Sequence, residues 1–215
     1  FMEKQKKIPL LRFPQYTVEW QLKKFGSLVN RISTPVNIDD EKLYKQIGIR
    51  SHGKGLFYKD AVTGKSLGNK RVFWIKEDTF VVNIVFAWEQ AVARTTVKEI
   101  GMIASHRFPM YLPINTKSNL DYLVHFFLTK KGKFLLELAS PGGAGRNKTL
   151  GQKEFENLKF HIPSSDEQTE IASFLTAIDN KLAQLKQKKS LLEKYKKGVM
   201  QKIFSQEIRF KDEDG

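Results

Sequence analysis

Residues 163–204 read PSSDEQTEIASFLTAIDNKLAQLKQKKSLLEKYKKGVMQKIF, and the fold turns on this stretch. Pro163 stands ahead of Ser164 and Ser165, and Glu167 and Gln168 each follow a serine by three positions, the capping-box spacing of a helix start. Ile171, Ile178, Leu185, Leu192 and Val199 recur every seven residues, while Leu175, Leu182 and Ile203 sit four positions after Ile171, Ile178 and Val199. A sustained 3.5-residue period predicts one long helix packed against another helix. At 1.5 Å per residue it is roughly 55–60 Å long. A globular part of some 165 residues is too small to cover such a rod, so the seam predicts a partner, and the helix reads as a spacer and dimerisation device. Lys189 and Lys196 break the narrower register, and Gly198 costs about 1 kcal/mol relative to Ala, so the far end is expected to be kinked or less tightly paired.

The rest of the 215 residues, in a chain 40% hydrophobic, has room for one core, which predicts a globular domain over residues 1–162, the helix over 163–204 and a tail over 205–215. The chain has no cysteine, which excludes disulfides and thiolate zinc sites and agrees with a reducing compartment. Ile8 to Leu11 is too short for a signal-peptide core, and no apolar run approaches the ~20 residues of a membrane span. A soluble, cytoplasmic protein is expected.

The net charge of +14 is unevenly distributed: residues 1–165 carry +13, residues 166–204 carry +3, and residues 205–215 carry −2. Positive charge concentrated on the globular part predicts a polyanionic partner. A membrane surface fits less well, because no amphipathic helix with a lysine face and an aromatic face occurs there.

Along the chain, residues 8–14 form a proline-bounded extended start, and Trp20, Leu22, Phe25, Leu28 and Val29 have the spacing of a short helix. Residues 43–49 read as a strand, followed by Arg50-Ser51-His52-Gly53-Lys54-Gly55, a glycine-punctuated loop expected to be solvated and mobile. Residues 80–92 and 158–162 are strand-like, residues 72–75 and 110–112 are further apolar runs, and residues 120–138 look helical. The fold class is therefore α+β, a mixed globular domain ahead of a long coiled-coil-forming helix. Leu11-Arg12-Phe13-Pro14 is echoed after the helix by Ile208-Arg209-Phe210-Lys211, where a second copy of the unit could begin.

No constellation points to catalysis. His52, His106, His125 and His161 are scattered without metal-ligand spacing. Gly142-Gly143-Ala144-Gly145 lacks the spacing of a nucleotide loop. No Asn-Pro-Pro-aromatic run marks an amino-methyltransferase, and Asp39, Asp40 and Glu41 read as a solvated turn. Basic clusters are more informative. Arg146, Asn147 and Lys148 follow a glycine-rich backbone suited to approaching phosphates; Arg50, Ser51, His52 and Lys54 repeat the pattern; Asn69, Lys70 and Arg71 form a third cluster, with Arg94 and Arg107 as further candidates. Arg and Asn read guanine and adenine edges, whereas Lys mostly holds phosphate. Two other classes fit the composition, an autonomous DNA-binding nuclease and a basic coiled-coil scaffold.

Three stretches carry a family resemblance: Leu11-Arg12-Phe13-Pro14 with Trp20; Gly143-Ala144-Gly145-Arg146-Asn147-Lys148-Thr149-Leu150; and Ile162-Pro163 with Glu167-Gln168, Ile171-Ala172, Phe174-Leu175 and Ile178-Asp179. With the ending Gln201-Lys202-Ile203-Phe204-Ser205, the chain resembles the specificity subunits of type I restriction-modification enzymes. The resemblance implies a target-recognition domain that reads one half of a bipartite double-stranded DNA site, followed by a spacer helix. It implies no catalytic residue, metal or cofactor in this chain. S-adenosylmethionine, ATP and Mg belong to partner modification (methyltransferase) and restriction subunits. Family members usually carry two such units in tandem, so one unit here implies either a half-length subunit that dimerises or a fragment of a longer one.

Overall fold

The computed structural model describes residues 9, 11–142 and 148–210. The chain divides into two compact units, Phe1–Ala172 and Ser173–Gly215. It is α+β, as its composition and patterning predict.

The first unit is built on an antiparallel four-stranded sheet with the spatial order Val29–Ile32, Met110–Pro113, Phe80–Val82, Val92–Arg94. One of its two central strands is Phe80-Val81-Val82, buried throughout, because both faces of the sheet are covered. Alternation along the strand sends Phe80 and Val82 to one core and Val81 to another. The first core joins them to Val92, Tyr111 and the helices Leu120–Leu128, Lys130–Leu138 and Gln152–Asn157; the second sets Val81, Ala93 and Met110 against Ile47, Ile49, Ile75 and Ala104. Phe25 anchors the larger core, with its ring 4.2 Å from Phe155, 5.3 Å from Tyr111 and 5.5 Å from Phe127.

The helix expected from Trp20 to Val29 does not form. Gln21–Lys24 is a strand paired with Lys159–Ile162, with Gln21 opposite Ile162 and Lys24 opposite Lys159. A single 3₁₀ turn, Phe25–Ser27, then leads to Val29–Ile32. The strand satisfies its backbone on a partner more than 130 residues away, and that pairing overrides a helical spacing of apolar side chains.

The helical stretch 120–138 is two helices, not one. Thr129 ends the first and starts the second, its hydroxyl donating to the Phe126 carbonyl at 2.7 Å and accepting from the Gly132 N–H at 3.0 Å. The chain turns so sharply that a Cβ on Gly132 would lie 2.2 Å from the Phe126 carbonyl oxygen, so glycine is required there. Strands also prove shorter than the apolar runs suggest. Residues 43–49 split into Leu43–Tyr44 and Ile47–Ile49, and residues 80–92 break into two strands around a turn.

The long helix runs Ser165–Phe204, about 60 Å at 1.5 Å per residue. Gly198 does not interrupt it. It ends in a Schellman motif: Gln206 adopts φ 61°, its N–H reaches the Ile203 carbonyl at 3.1 Å, and the Glu207 N–H reaches the Lys202 carbonyl at 2.9 Å. Ile178, Leu182, Leu185 and Leu192 of the seam are exposed, Leu175 and Val199 half-buried, and Ile171 packs on the larger core. Among the described residues no helix is long and apolar enough to cross a membrane.

Candidate nucleic-acid interface

The helix start uses its capping-box residues differently from the simple reading. The Ser164 hydroxyl accepts from the Glu167 N–H at 3.3 Å, but the Glu167 carboxylate turns to Arg12, accepting from Nε at 2.7 Å and from NH2 at 2.6 Å. Trp20 adds its indole N–H to the same carboxylate at 3.2 Å. These hydrogen bonds, with the charge of Glu167, raise the pKa of Arg12 against the opposing effect of burial. Gln168 is fully buried; its amide accepts from the Asn119 N–H at 2.9 Å and donates to the carbonyls of Lys117 and Pro163. Arg12, Trp20, Glu167 and Gln168, all carriers of the family resemblance, thus form a buried polar lock within the first unit.

The basic clusters lie elsewhere, and three of them are joined through one turn, residues 83–91, between the strands Phe80–Val82 and Val92–Arg94. Ile84 donates its N–H to the Arg107 carbonyl at 3.0 Å, and its own carbonyl accepts from Leu150 at 2.8 Å, two residues beyond Lys148. The Lys148 ammonium lies 5.9 Å from the centre of the Trp88 ring. Next in the turn, Glu89 receives the His52 N–H on its carbonyl at 2.7 Å and the Ser51 hydroxyl on its carboxylate at 2.8 Å, and the Gln90 carbonyl receives the Gly53 N–H at 3.2 Å. Arg71 joins from the other side, its carbonyl accepting from His106 at 3.1 Å. Arg50, His52, Lys54, Arg71 and Arg107 are exposed, as are Asn69 and Lys70 beside them.

The 50–55 loop exposes its basic side chains, as expected, on a backbone held by many hydrogen bonds. His52 and Gln90 both take left-handed backbone conformations, φ 60° and 59°, and abut each other. Such strain costs of order 1 kcal/mol or more per residue and persists only where surroundings enforce it. Here the Gln90 side chain donates to the Phe127 and Thr129 carbonyls at 2.9 and 3.2 Å, and the Arg50 N–H closes the loop on the Gly55 carbonyl at 2.9 Å. Arg50 also donates to the Leu56 carbonyl and stacks on Phe57, 5.0 Å from the ring centre. That ring lies over Gly48, where a Cβ would meet it at 2.2 Å.

Arg94 does not join the group. It pairs across from Phe80, at the opposite end of the strand pair from the turn, and its guanidinium is bound to Asp121 at 2.6 Å and Asp78 at 2.7 Å. Arg146 and Asn147 lie outside the described residues; Gly142 and Lys148, on either side of them, are bridged antiparallel. Phe86, Trp88, Glu89 and Gln90 were not among the residues the sequence singled out. Their one signal was the polar Trp-Glu-Gln interruption of an otherwise apolar run. Among the described residues no three His, Asp or Glu side chains are grouped as a metal ion requires.

The chain is 25% identical over 203 residues to the type I restriction enzyme MjaVIII specificity subunit of Methanocaldococcus jannaschii, covering 92% of this chain and 44% of that one. Its fold is similar to that of the HsdS subunit from Thermoanaerobacter tengcongensis, with a TM-score of 0.63 and 14% identity over 87% of this chain and 49% of the other. The type I restriction-modification S subunit from M. genitalium superposes with a TM-score of 0.58 and 16% identity over 93% of this chain and 48% of the other. The chain thus spans about half the length of the relatives it matches. Residues 18–194 match the family described as the type I restriction modification DNA specificity domain, and the chain belongs to that family.

Proposed function

We propose that this chain is the sequence-reading component of a type I restriction-modification complex and is itself non-catalytic. Residues 1–162 read one half of a bipartite duplex site. Methylation with S-adenosylmethionine, and ATP- and Mg-dependent translocation and cleavage, are the work of the modification and restriction subunits. The observation that carries this reading is the joining of three separate basic segments, 50–54, 106–107 and 148–150, through the 83–91 turn, with their main chains tied down, Arg50, His52, Lys54 and Arg107 exposed and Lys148 half-buried over Trp88. Such an arrangement suits phosphate contacts that position the protein while nearby side chains read base edges.

Titration of the full chain with duplex DNA over a salt series tests it. Each phosphate contact steepens the dependence of log K on log [salt] by about 0.9, so a slope of several units is expected. A flat slope, or no binding at low salt, would contradict the reading.

In the same proposal the exposed seam of Ile178, Leu182, Leu185 and Leu192 pairs antiparallel with the equivalent helix of a second recognition unit, in another copy or in the same polypeptide, and the other helix faces receive modification subunits. Antiparallel pairing separates two domains of like charge by the length of the rod. Ile178→Asp with Leu185→Asp should convert a self-associating chain to a monomer in sedimentation; a wild-type chain already monomeric at micromolar concentration would rule out the copy and leave the tandem unit.

A further inference from the structure

Phe86 is the one apolar side chain of the 83–91 turn that stays exposed, at 39% of its surface. Its backbone is nevertheless fixed: the N–H donates to the Asn83 carbonyl at 3.1 Å, and its carbonyl accepts from Glu89 at 3.0 Å and Ala91 at 3.2 Å. The turn is tightened from within by the Asn83 side chain, which is buried and accepts the Val85 N–H at 3.1 Å. Two residues before Phe86, Ile84 is tied to Arg107 and Leu150; two residues after it, Trp88 lies against Lys148; three after, Glu89 holds Ser51 and His52. A rigid aromatic thus stands among cationic segments that reach it from three parts of the chain.

Leaving over a third of a phenylalanine in water forfeits burial that the fold could have used. Phosphates and most base edges offer it only polar groups, and the C–H groups of deoxyribose, alike at every nucleotide, carry no sequence preference. The thymine 5-methyl is the apolar feature of the major groove, and phenylalanine is among the side chains that contact it. Trp88 is less suited, since its indole N–H is bound to the Val85 carbonyl at 3.1 Å and its ring faces Lys148. Insertion of Phe86 as a wedge between base steps, the other use of an apolar side chain on DNA, fits poorly with a ring whose larger part is already covered by protein.

We propose that Phe86 is a specificity-determining residue that packs against the 5-methyl group of a thymine in the duplex, an inference that rests on the DNA-reading role proposed above. The test begins with random duplexes enriched on the full chain. The best-bound duplex is resynthesised with deoxyuridine in place of every thymine, which removes the methyl groups and keeps every hydrogen-bonding edge. The wild-type chain should bind the deoxyuridine duplex about fourfold more weakly, the ratio expected for one buried methyl. Phe86→Ala should bind both duplexes equally, and Phe86→Leu should retain part of the discrimination; because most of Phe86 is covered by protein, a melting curve of each variant checks that it is folded. Equal discrimination by wild type and Phe86→Ala would overturn the assignment, as would a wild type indifferent to the methyl. General weakening by Phe86→Ala with no methyl dependence would make Phe86 a wedge instead. If no duplex is bound in a salt-dependent way, the DNA-reading role falls, and this assignment with it.

Discussion

At the start of the long helix, polar side chains face inward and bond one another; around the 83–91 turn, main-chain bonds gather segments whose arginine and histidine side chains face water. Glu167 and Gln168 are buried and find Arg12, Trp20, Asn119, Lys117 and Pro163. Arg107 and His52 are held by their backbones and keep exposed side chains. The difference separates two kinds of polar residue that a sequence displays alike. Buried groups that complete each other's hydrogen bonds specify a fold, whereas exposed charges on a fixed backbone are available to a partner.

Of the two regions, the lock is the more sensitive to a single substitution. Glu167→Ala strands the Arg12 guanidinium, whose side chain is only 9% exposed, without its counter-charge. Removing one partner of a buried pair is among the costliest single changes, so the melting temperature should fall by about 5–10 °C. A fall no larger than that of an exposed control such as Glu193→Ala would mean that the lock contributes little.

Gln90 is intermediate, an internal tie that serves the exposed loop. Gln90→Ala removes the bonds to Phe127 and Thr129 and puts a residue with no compensating contact in a left-handed conformation. A loss of about 1–2 kcal/mol in denaturant unfolding is expected, with faster amide exchange at His52 and Gly53, whose N–H groups are tied to Glu89 and Gln90. Unchanged exchange there would show that the turn does not hold the loop.

The smallest effect on stability belongs to Arg107→Ala, within about 0.5 kcal/mol as for other surface positions. Its expected consequence lies in binding: if Arg107 holds a phosphate, the salt slope falls by about 1 and all sequences weaken alike, whereas loss of preference at one base would make it a base reader. An unaltered titration would remove Arg107 from the interface.

The long helix was legible because its signal is repeated: a capped start and a heptad series over five turns of the pattern all point the same way. The α+β class was legible for a similar reason, since apolar runs such as residues 80–82 and 158–162 have strand composition. What stayed hidden depends on partners far away in sequence. Trp20 to Val29 has helical spacing, and only the pairing with Lys159–Ile162 makes Gln21–Lys24 a strand. Glu167 has capping-box spacing, and only the approach of Arg12, 155 residues earlier, turns its carboxylate away. The basic clusters were visible one by one, but their junction was not, because Trp-Glu-Gln at 88–90 carries no charge pattern of its own. Arg94 shows the converse: an arginine is conspicuous in sequence, and its commitment to Asp78 and Asp121 is not.

The ties that gather the 50–55 loop, Arg107 and the Leu150 segment are made largely by peptide N–H and C=O groups, which every amino acid except proline brings. A replacement at position 54 or 107, or at 52 by a residue that tolerates a left-handed backbone, leaves those ties intact. Such a scaffold lets its exposed side chains change at little risk to folding. Mutational tolerance is concentrated at those exposed positions, while at residues 12, 167 and 168 each side chain completes hydrogen bonds that a replacement would leave open.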